Sequence, residues 1–354
     1  MRAKADLTMD PLQRNEVGKT GVLVTQLGFG GGPLGDPTDV IPEDQAQATL
    51  AAAYDRGVRY FDTAPWYGNT KSEHRLGHFL RDKPRDDFVL STKVGRVYSR
   101  PEDVADFKAN SPWAKRWLGG LPFDLRFDYT YDGIMRSYED SLTRLGLPNV
   151  DCLAIHDLDP GHMKSEAGVA GGFRQLDAGR GFAALMELKD RGDIKAIGAG
   201  INLTGLIPRF VERFDMDYFL IASPYTLLEQ TALDEDLPLC QKRNISVVLG
   251  AVFSSGILAT GPVTGALYRY KEANKEVVER VQAISDICRV HNVALSAAAL
   301  QFPLFHPTVA TVIPGANHPG QVSSNVDGVS RKIPDALWRQ LKEQGYMRSD
   351  APTP

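Results

Sequence analysis

The sequence predicts an α/β fold, a (β/α)8 TIM barrel preceded by a short N-terminal hairpin and carrying a long loop after its third strand. Three observations predict it. Short apolar runs alternate with amphipathic helical stretches eight times along the 354 residues, the pattern of parallel strands joined by crossover helices. The runs are continuously apolar rather than alternating, as in strands covered on both faces. No linker divides the chain, so one closed barrel spanning residues 1–354 is favoured over a doubly wound open sheet, with 1–13 as a flexible start and 345–354 as a tail.

The elements follow in order. GKTGVLVTQLG holds the hairpin, and QLGFGG is the first barrel strand. EDQAQATLAAAYDRG reads as a helix ending at Gly57, VRYFDTA as the second strand, KSEHRLGHFLRD as a helix and DFVLSTKV as the third strand. The stretch from Val94 to Tyr131 is far longer than an ordinary connection, and such loops are usually functional or disordered. Its Trp113, Trp117, Phe123 and Phe127 argue for order. YDGIMRSYEDSLTRLG is a helix stopped by Gly146, followed by strand VDCLAIHDL and helix RGFAALMELKDRG. IKAIGAGIN, MDYFLIASP and ISVVLGAVF are strands five to seven, separated by the helices TGLIPRFVERF and LDEDLPLCQKRN. KEVVERVQAISDICRVHN and ALSAAALQFPLF are helices, VATVIPG is the eighth strand, and PGQVSSNV is a closing helical turn.

Bulk properties narrow the partners. A net charge of −4 and a pI of about 6.0 favour neither nucleic acid nor an acidic membrane surface. A small-molecule substrate is the default partner, for a monomer or a homo-oligomer. Cys152, Cys240 and Cys288 are odd in number and far apart, which suggests reduced thiols in a cytoplasmic protein. The polar start lacks a signal-peptide core, and no apolar run is long enough to span a bilayer.

GGGPLG, residues 30–35, matches the dinucleotide pattern G-x-G-x-x-G, but Pro33 and DPTDVIP follow where a helix should open. It reads instead as a turn at a strand's carboxyl end, which in a barrel faces the active site. Polar side chains gather at the same ends of neighbouring strands: Asp62 with Tyr67 in its loop, Lys93 in LSTKVG and His156 in LAIHDL. Any one of them is ordinary, but in a barrel they converge on one mouth. A lysine about 4 Å from a phenol favours phenolate by about 4 kcal/mol at an effective dielectric of 20, roughly three pKa units. Asp62 would hold that lysine, His156 would bond the reacting oxygen, and Tyr67 would serve as general acid or base. His156, Asp157, Asp159 and His162 also admit a reading as a metal cluster, but without a zincin His pair or a Cys pair at ligand spacing no metal is expected. No G-x-S-x-G hydrolase motif occurs.

FDTAPWYG, STKVG, AIHD and VIPGANHPGQVSSNV, in this order at strand ends, resemble the aldo-keto reductases, over about Gly21 to Asn325. GFGGGPLG, FDYTYDGIMRSYEDSLTRLG and SPYTLLEQ resemble a subgroup with aldose 1-dehydrogenases (L-fucose or D-threo-aldose type) and pyridoxal 4-dehydrogenase. The resemblance implies a barrel that binds an extended nicotinamide cofactor, with Asp62, Tyr67, Lys93 and His156 as the catalytic tetrad. It implies cofactor contacts from Gly31, Gly32, Asn202, Tyr225, Phe253, Ser254, Ser255, Gly256, Leu258, Gly315, Asn317, Gln321 and Asn325. Trp66, Trp113 and Trp117 would wall the substrate pocket, although they equally suit anchoring of a long loop. Members that prefer NADP place Lys and Arg after strand eight, where this chain has Gly315 and Gln321. NAD is therefore expected, and NADP stays open through a basic residue from a distant loop, such as Lys271 or Lys275. The rival readings are an NADPH-linked carbonyl reductase and a cofactor-sensing binding subunit of the same fold.

Overall fold

The computed structural model describes residues 9–354; the first part of the expected flexible start, 1–8, lies outside the described residues. Eight parallel strands form the central sheet: β1 (Phe29–Gly30), β2 (Tyr60–Asp62), β3 (Val89–Val94), β4 (Cys152–His156), β5 (Ala196–Ile201), β6 (Tyr218–Ala222), β7 (Ser246–Gly250) and β8 (Val309–Val312). Each pairs with its sequence neighbour in parallel. The sheet closes on itself through parallel bridges Leu27 to Val312 and Gly30 to Gly315, with Gly28 N–H donating to Val312 O at 2.9 Å. The fold is a (β/α)8 barrel.

Two cores hold it. Inside the barrel, Tyr60, Cys152, Ala154, Ala196, Tyr218, Leu220 and Val248 pack together. Gly198 belongs to this layer, because a Cβ there would lie 2.4 Å from the Tyr218 ring. Val17, Val22 and Val24 of the N-terminal hairpin, Arg14–Glu16 against Leu23–Thr25, join the same cluster and plug the barrel floor. The second, larger core lies between the strands and the surrounding helices.

The helices form where the spacing predicts. Tyr131–Leu145 is representative: the Thr130 hydroxyl accepts from Gly133 N–H, and Ile134, Ser137, Tyr138, Ser141 and Leu145 give one buried stripe. Gly146 ends the helix at φ 64°.

Some expectations change. The closing turn is a helix of 12 residues, Pro319–Ser330, because Val329 extends beyond the motif the apolar stripe begun by Val322 and Val326. The long excursion after β3 is folded: strands Arg96–Ser99 and Asp124–Phe127 pair antiparallel, with helices Val104–Asn110 and Pro112–Lys115 between them. Helices Glu166–Leu176 and Asp335–Glu343 and a small hairpin at 267–272 are additional elements. Met9 packs against the core and Pro11 O accepts from Leu27 N–H, while Met347 and Ala351 of the tail are buried. Among the described residues no helix is long and apolar enough to cross a membrane.

Candidate active site

Strand parity places the site. Tyr60 points into the barrel and Phe61 out, so Asp62 points in; Ser91, Lys93, Ala154 and His156 follow the same alternation on β3 and β4. Asp62, Lys93 and His156 thus form a polar layer on top of the tyrosine layer, at the carboxyl ends of adjacent strands. Gly200 on β5 lies opposite His156 in register and leaves space beside Lys93 and His156, both in ordinary contact range of a Cβ at that position.

Lys93 Nζ donates to Asp62 Oδ2 at 2.7 Å and to the Thr63 carbonyl at 2.8 Å. Ser91 Oγ donates to Asp62 Oδ1 at 2.6 Å and meets the Tyr60 hydroxyl at 3.0 Å. The half-buried Tyr67 sits over this pair, its ring centroid 4.9 Å from Lys93 Nζ and 6.1 Å, edge-on, from the His156 ring. The phenol does not behave as the isolated Lys–Tyr pair predicts. Burial, then the Asp62 carboxylate, raise its pKa well above the usual 10. Lys93's charge is matched by Asp62, so an ion pair rather than a bare cation faces the ring.

His156 is held by neighbours that the sequence reading left outside the tetrad. Arg96 Nη1 contacts His156 Nδ1 at 2.7 Å, and Arg96 Nη2 donates to Asp157 Oδ2 at 2.8 Å. Tyr129 OH donates to the His156 carbonyl at 2.8 Å. Burial, with Arg96 and Lys93 adding to it against Asp157, drives the imidazole pKa well below 6.5, so the ring is neutral. Burial opposes ionisation of Asp157, but the guanidinium of Arg96 facing it holds its carboxyl well below the usual range. Asp157 adopts φ 49°, a left-handed conformation uncommon for a residue with a side chain.

The candidate metal cluster is engaged in protein contacts. Ligand-type atoms of Asp157, Asp159 and His162 lie within 4.8 Å of one another. His162 Nδ1 meets Asp159 at 3.0 Å, and Asn202 Nδ2 donates to Asp157 Oδ1 at 2.8 Å and Asp159 Oδ2 at 3.1 Å. Asn202, expected at the cofactor, thereby also braces the loop after β4.

The other candidates divide. Trp66 stands edge-on to Trp113 and to Trp117, each at 5.5 Å, and Tyr67 lies 6.0 Å from Trp117, so all three tryptophans join one cluster beside the phenol. Tyr225 is taken into the outer core instead, fully buried against Phe302 and His306. Leu258 is likewise fully buried. Phe253 leads a turn in which Ser254, Ser255 and Gly256 take φ 49°, 65° and 105°. A Cβ at Gly32 or Gly256 would meet empty space, whereas at Gly31 it would strike Asp62 O and at Gly315 it would strike Pro33. Gln321 Oε1 accepts from Asn317 N–H at 2.9 Å, and Asn325 is buried one turn further along the helix.

Two contacts close over the mouth without having been foreseen. Arg116 stacks on Trp117 at 4.9 Å and on Tyr270 at 4.5 Å, joining the excursion after β3 to the loop after β7. Lys71 Nζ ties the tip of the excursion down, donating to Asp36 Oδ2 at 2.6 Å and Gly119 O at 2.9 Å.

Known proteins resemble the chain over nearly its whole length. The chain is 40% identical over 338 residues to pyridoxal 4-dehydrogenase from Microbacterium luteolum, covering 95% of this chain and 98% of that one. It is 37% identical over 334 residues to D-threo-aldose 1-dehydrogenase from a Pseudomonas species, covering 91% and 94%. The solved holo form of an aldo-keto reductase from Bacillus halodurans superposes with a TM-score of 0.71 at 24% identity, over 97% of this chain and 98% of that one. The model of the aldo/keto reductase family matches residues 26–345. With that match spanning the barrel from its first strand to its last helix, the chain belongs to the aldo/keto reductase family.

Proposed function

We propose that the chain is an NAD-linked dehydrogenase that transfers a hydride between nicotinamide and a hydroxyl or carbonyl carbon of a ring-containing substrate, with Tyr67 as the proton carrier. The substrate class is an aldose hemiacetal, a pyridoxal-type compound or a cyclic alcohol. One observation carries the reading: the Asp62-held ammonium of Lys93 lies 4.9 Å from the centre of the Tyr67 ring at the barrel mouth. In the oxidising direction, the substrate hydroxyl would give its proton to Tyr67 in its phenolate form, regenerating the phenol, as the reacting carbon gives up hydride. His156, neutral, offers its Nε2–H to the reacting oxygen. Asp62, Ser91 and the Thr63 carbonyl fix Lys93 so that its charge does not reorient during the step.

The residues at the mouth fit a nicotinamide dinucleotide. Among the described residues Gly32 and Gly256 open onto empty space, and the left-handed run 254–256 turns the backbone sharply at Gly256. Gly31, Gly32, Asn202, Phe253, Ser254, Ser255 and Gly256 would hold the nicotinamide and pyrophosphate, and Gly315, Asn317, Gln321 and Asn325 the adenosine side. When bound, the cofactor accepts or returns the hydride. NAD is favoured over NADP because a 2′-phosphate recruits Arg or Lys, and His318 is the sole ionisable side chain from Val312 to Asn325. His318 caps its own helix, accepting from Gly320 N–H, and Lys275 pairs with Glu279 at 3.6 Å. The tryptophan cluster supplies flat apolar faces suited to rings, and relatives named for pyridoxal and for a D-threo-aldose support that class.

The test is turnover of pyridoxal, several aldoses and cyclic alcohols with both coenzymes, followed by nicotinamide absorbance. NAD should be preferred, and a preference for NADP above about tenfold would overturn the choice. Tyr67→Phe should keep NAD affinity within about threefold and cut turnover by about 1,000-fold or more. Persistent turnover in that variant would remove Tyr67 from the reaction.

A further inference from the structure

Arg96 is 2% exposed and no step above uses it. It enters the site because Gly95, at φ 100°, turns the chain back over the mouth; a Cβ on Gly95 would lie 2.1 Å from the Tyr129 ring. The guanidinium sits between Trp66, 4.8 Å away, and Phe127, 5.1 Å away. Its Nε finds no acceptor among the described residues, so the contacts made by the two terminal nitrogens hold it there at some cost.

A guanidinium donates and never accepts. The His156 nitrogen facing it must therefore present a lone pair, which places the imidazole hydrogen on Nε2. We infer that Arg96 is a positioning residue: by bonding His156 Nδ1 at 2.7 Å and Asp157 Oδ2 at 2.8 Å, it locks His156 as the neutral Nε2–H form. The inference rests on the reading of His156 as donor to the reacting oxygen.

The groups around His156 show why the lock is needed. Lys93 faces it from β3, Arg96 from the excursion, and Asp157 and His162 from its own loop; Tyr67 approaches from the loop after β2. Asp157 favours a charged ring, while Arg96, Lys93 and His162 oppose it. Asp157 Oδ2 lies 3.2 Å from His156 Nε2. Without Arg96, that carboxylate would draw a second proton onto the ring and hold the Nε2–H for itself. Lysine preserves the charge but not the two-point grip.

The experiment uses the full chain with NAD and pyridoxal, comparing wild type, Arg96→Lys and Arg96→Met by pH–rate profile and by 15N NMR of the histidines. Wild-type His156 should show the Nε2–H form with no titration between about pH 5.5 and 8.5. In Arg96→Met, His156 should titrate inside that window, and the acid limb of kcat/KM should steepen by one further proton. Activity should fall on the order of 10- to 100-fold with NAD affinity within about threefold. Arg96→Lys, the milder change, should shift the same signals part of the way and serves if the methionine variant does not fold. An Nδ1–H form in the wild type, or variant profiles that superpose on the wild type after scaling, would overturn the inference. Full turnover in both Tyr67→Phe and His156→Asn would instead overturn the tetrad reading, and the NMR result would still report whether Arg96 governs the ring.

Discussion

Lys93 donates to Asp62 and to the Thr63 carbonyl at 2.7 and 2.8 Å, so two of its three N–H bonds are committed before Tyr67 is considered. Tyr67 keeps its proton, its pKa raised well above 10 by burial and then by Asp62. The sign of the pH dependence follows. Below a raised pKa the phenol is the acid, ready for carbonyl reduction, and the base needed for alcohol oxidation is a small fraction that grows tenfold per pH unit. Between about pH 6 and 8, kcat/KM for oxidation should climb with unit slope while that for reduction stays flat. A level oxidation profile across that range would show that the phenol is not the base. The gathering of Asp62, Lys93 and His156 at neighbouring strand ends, with Tyr67 in the loop after Asp62, was legible because each strand end can be read from its own segment. Arg96 was not, since it follows the glycine at which the strand reading ends and looks like the first residue of a loop. An arginine between Val94, Gly95 and Val97 was the available signal.

Helix Pro319–Ser330 shows what an element needs beyond its pattern. Its last carbonyls are met from inside the protein by one side chain: buried Gln301 Nε2 approaches Gly328 O at 2.8 Å, Val329 O at 3.0 Å and Arg331 O at 2.6 Å. Gln301→Leu should lower stability by about 2–3 kcal/mol, seen as an earlier urea midpoint with unchanged m-value. Because Asn325 rides on this helix, the variant should also weaken NAD binding if the adenosine reading holds. Helix Asp335–Glu343 was readable from Leu337, Trp338 and Leu341, which form its buried face. Helix Glu166–Leu176 was hidden by Gly168, Gly171 and Gly172, poor helix formers. Packing overrides propensity there, for Leu158 occupies the space where Gly172 lacks a side chain. The excursion after β3 was readable as ordered through its aromatics, but the pairing of its ends is long-range and leaves no local mark.

The whole barrel is an oxidoreductase of the aldo-keto reductase type, and its stability should carry a pH signature from one buried carboxyl at the start of helix Asp236–Arg243. Burial pushes Asp236 up to about 6, with Oδ1 accepting from Gly205 N–H and Oδ2 without a partner among the described residues. A folded pKa above the unfolded one means that the native state holds the proton more tightly, so stability falls as pH rises through 4 to 6 and stays lower beyond. Asp236→Asn should therefore raise stability at about pH 8 by about 1–3 kcal/mol, the gain closing toward pH 4 in thermal melts. The barrel class itself was legible from the eightfold alternation. Closure was not written in any single segment, because it joins the first strand to the last.

That seam has a consequence for how the protein is made. Leu27 and Gly30 bond to Val312 and Gly315, so the opening strand waits for about 280 residues to emerge before its second edge is covered. A nascent chain released early exposes two unpaired sheet margins, a template for association between copies. Truncation before Val309 should send the product into insoluble aggregates rather than yield a smaller soluble barrel, and chaperone demand should peak in the last tenth of synthesis.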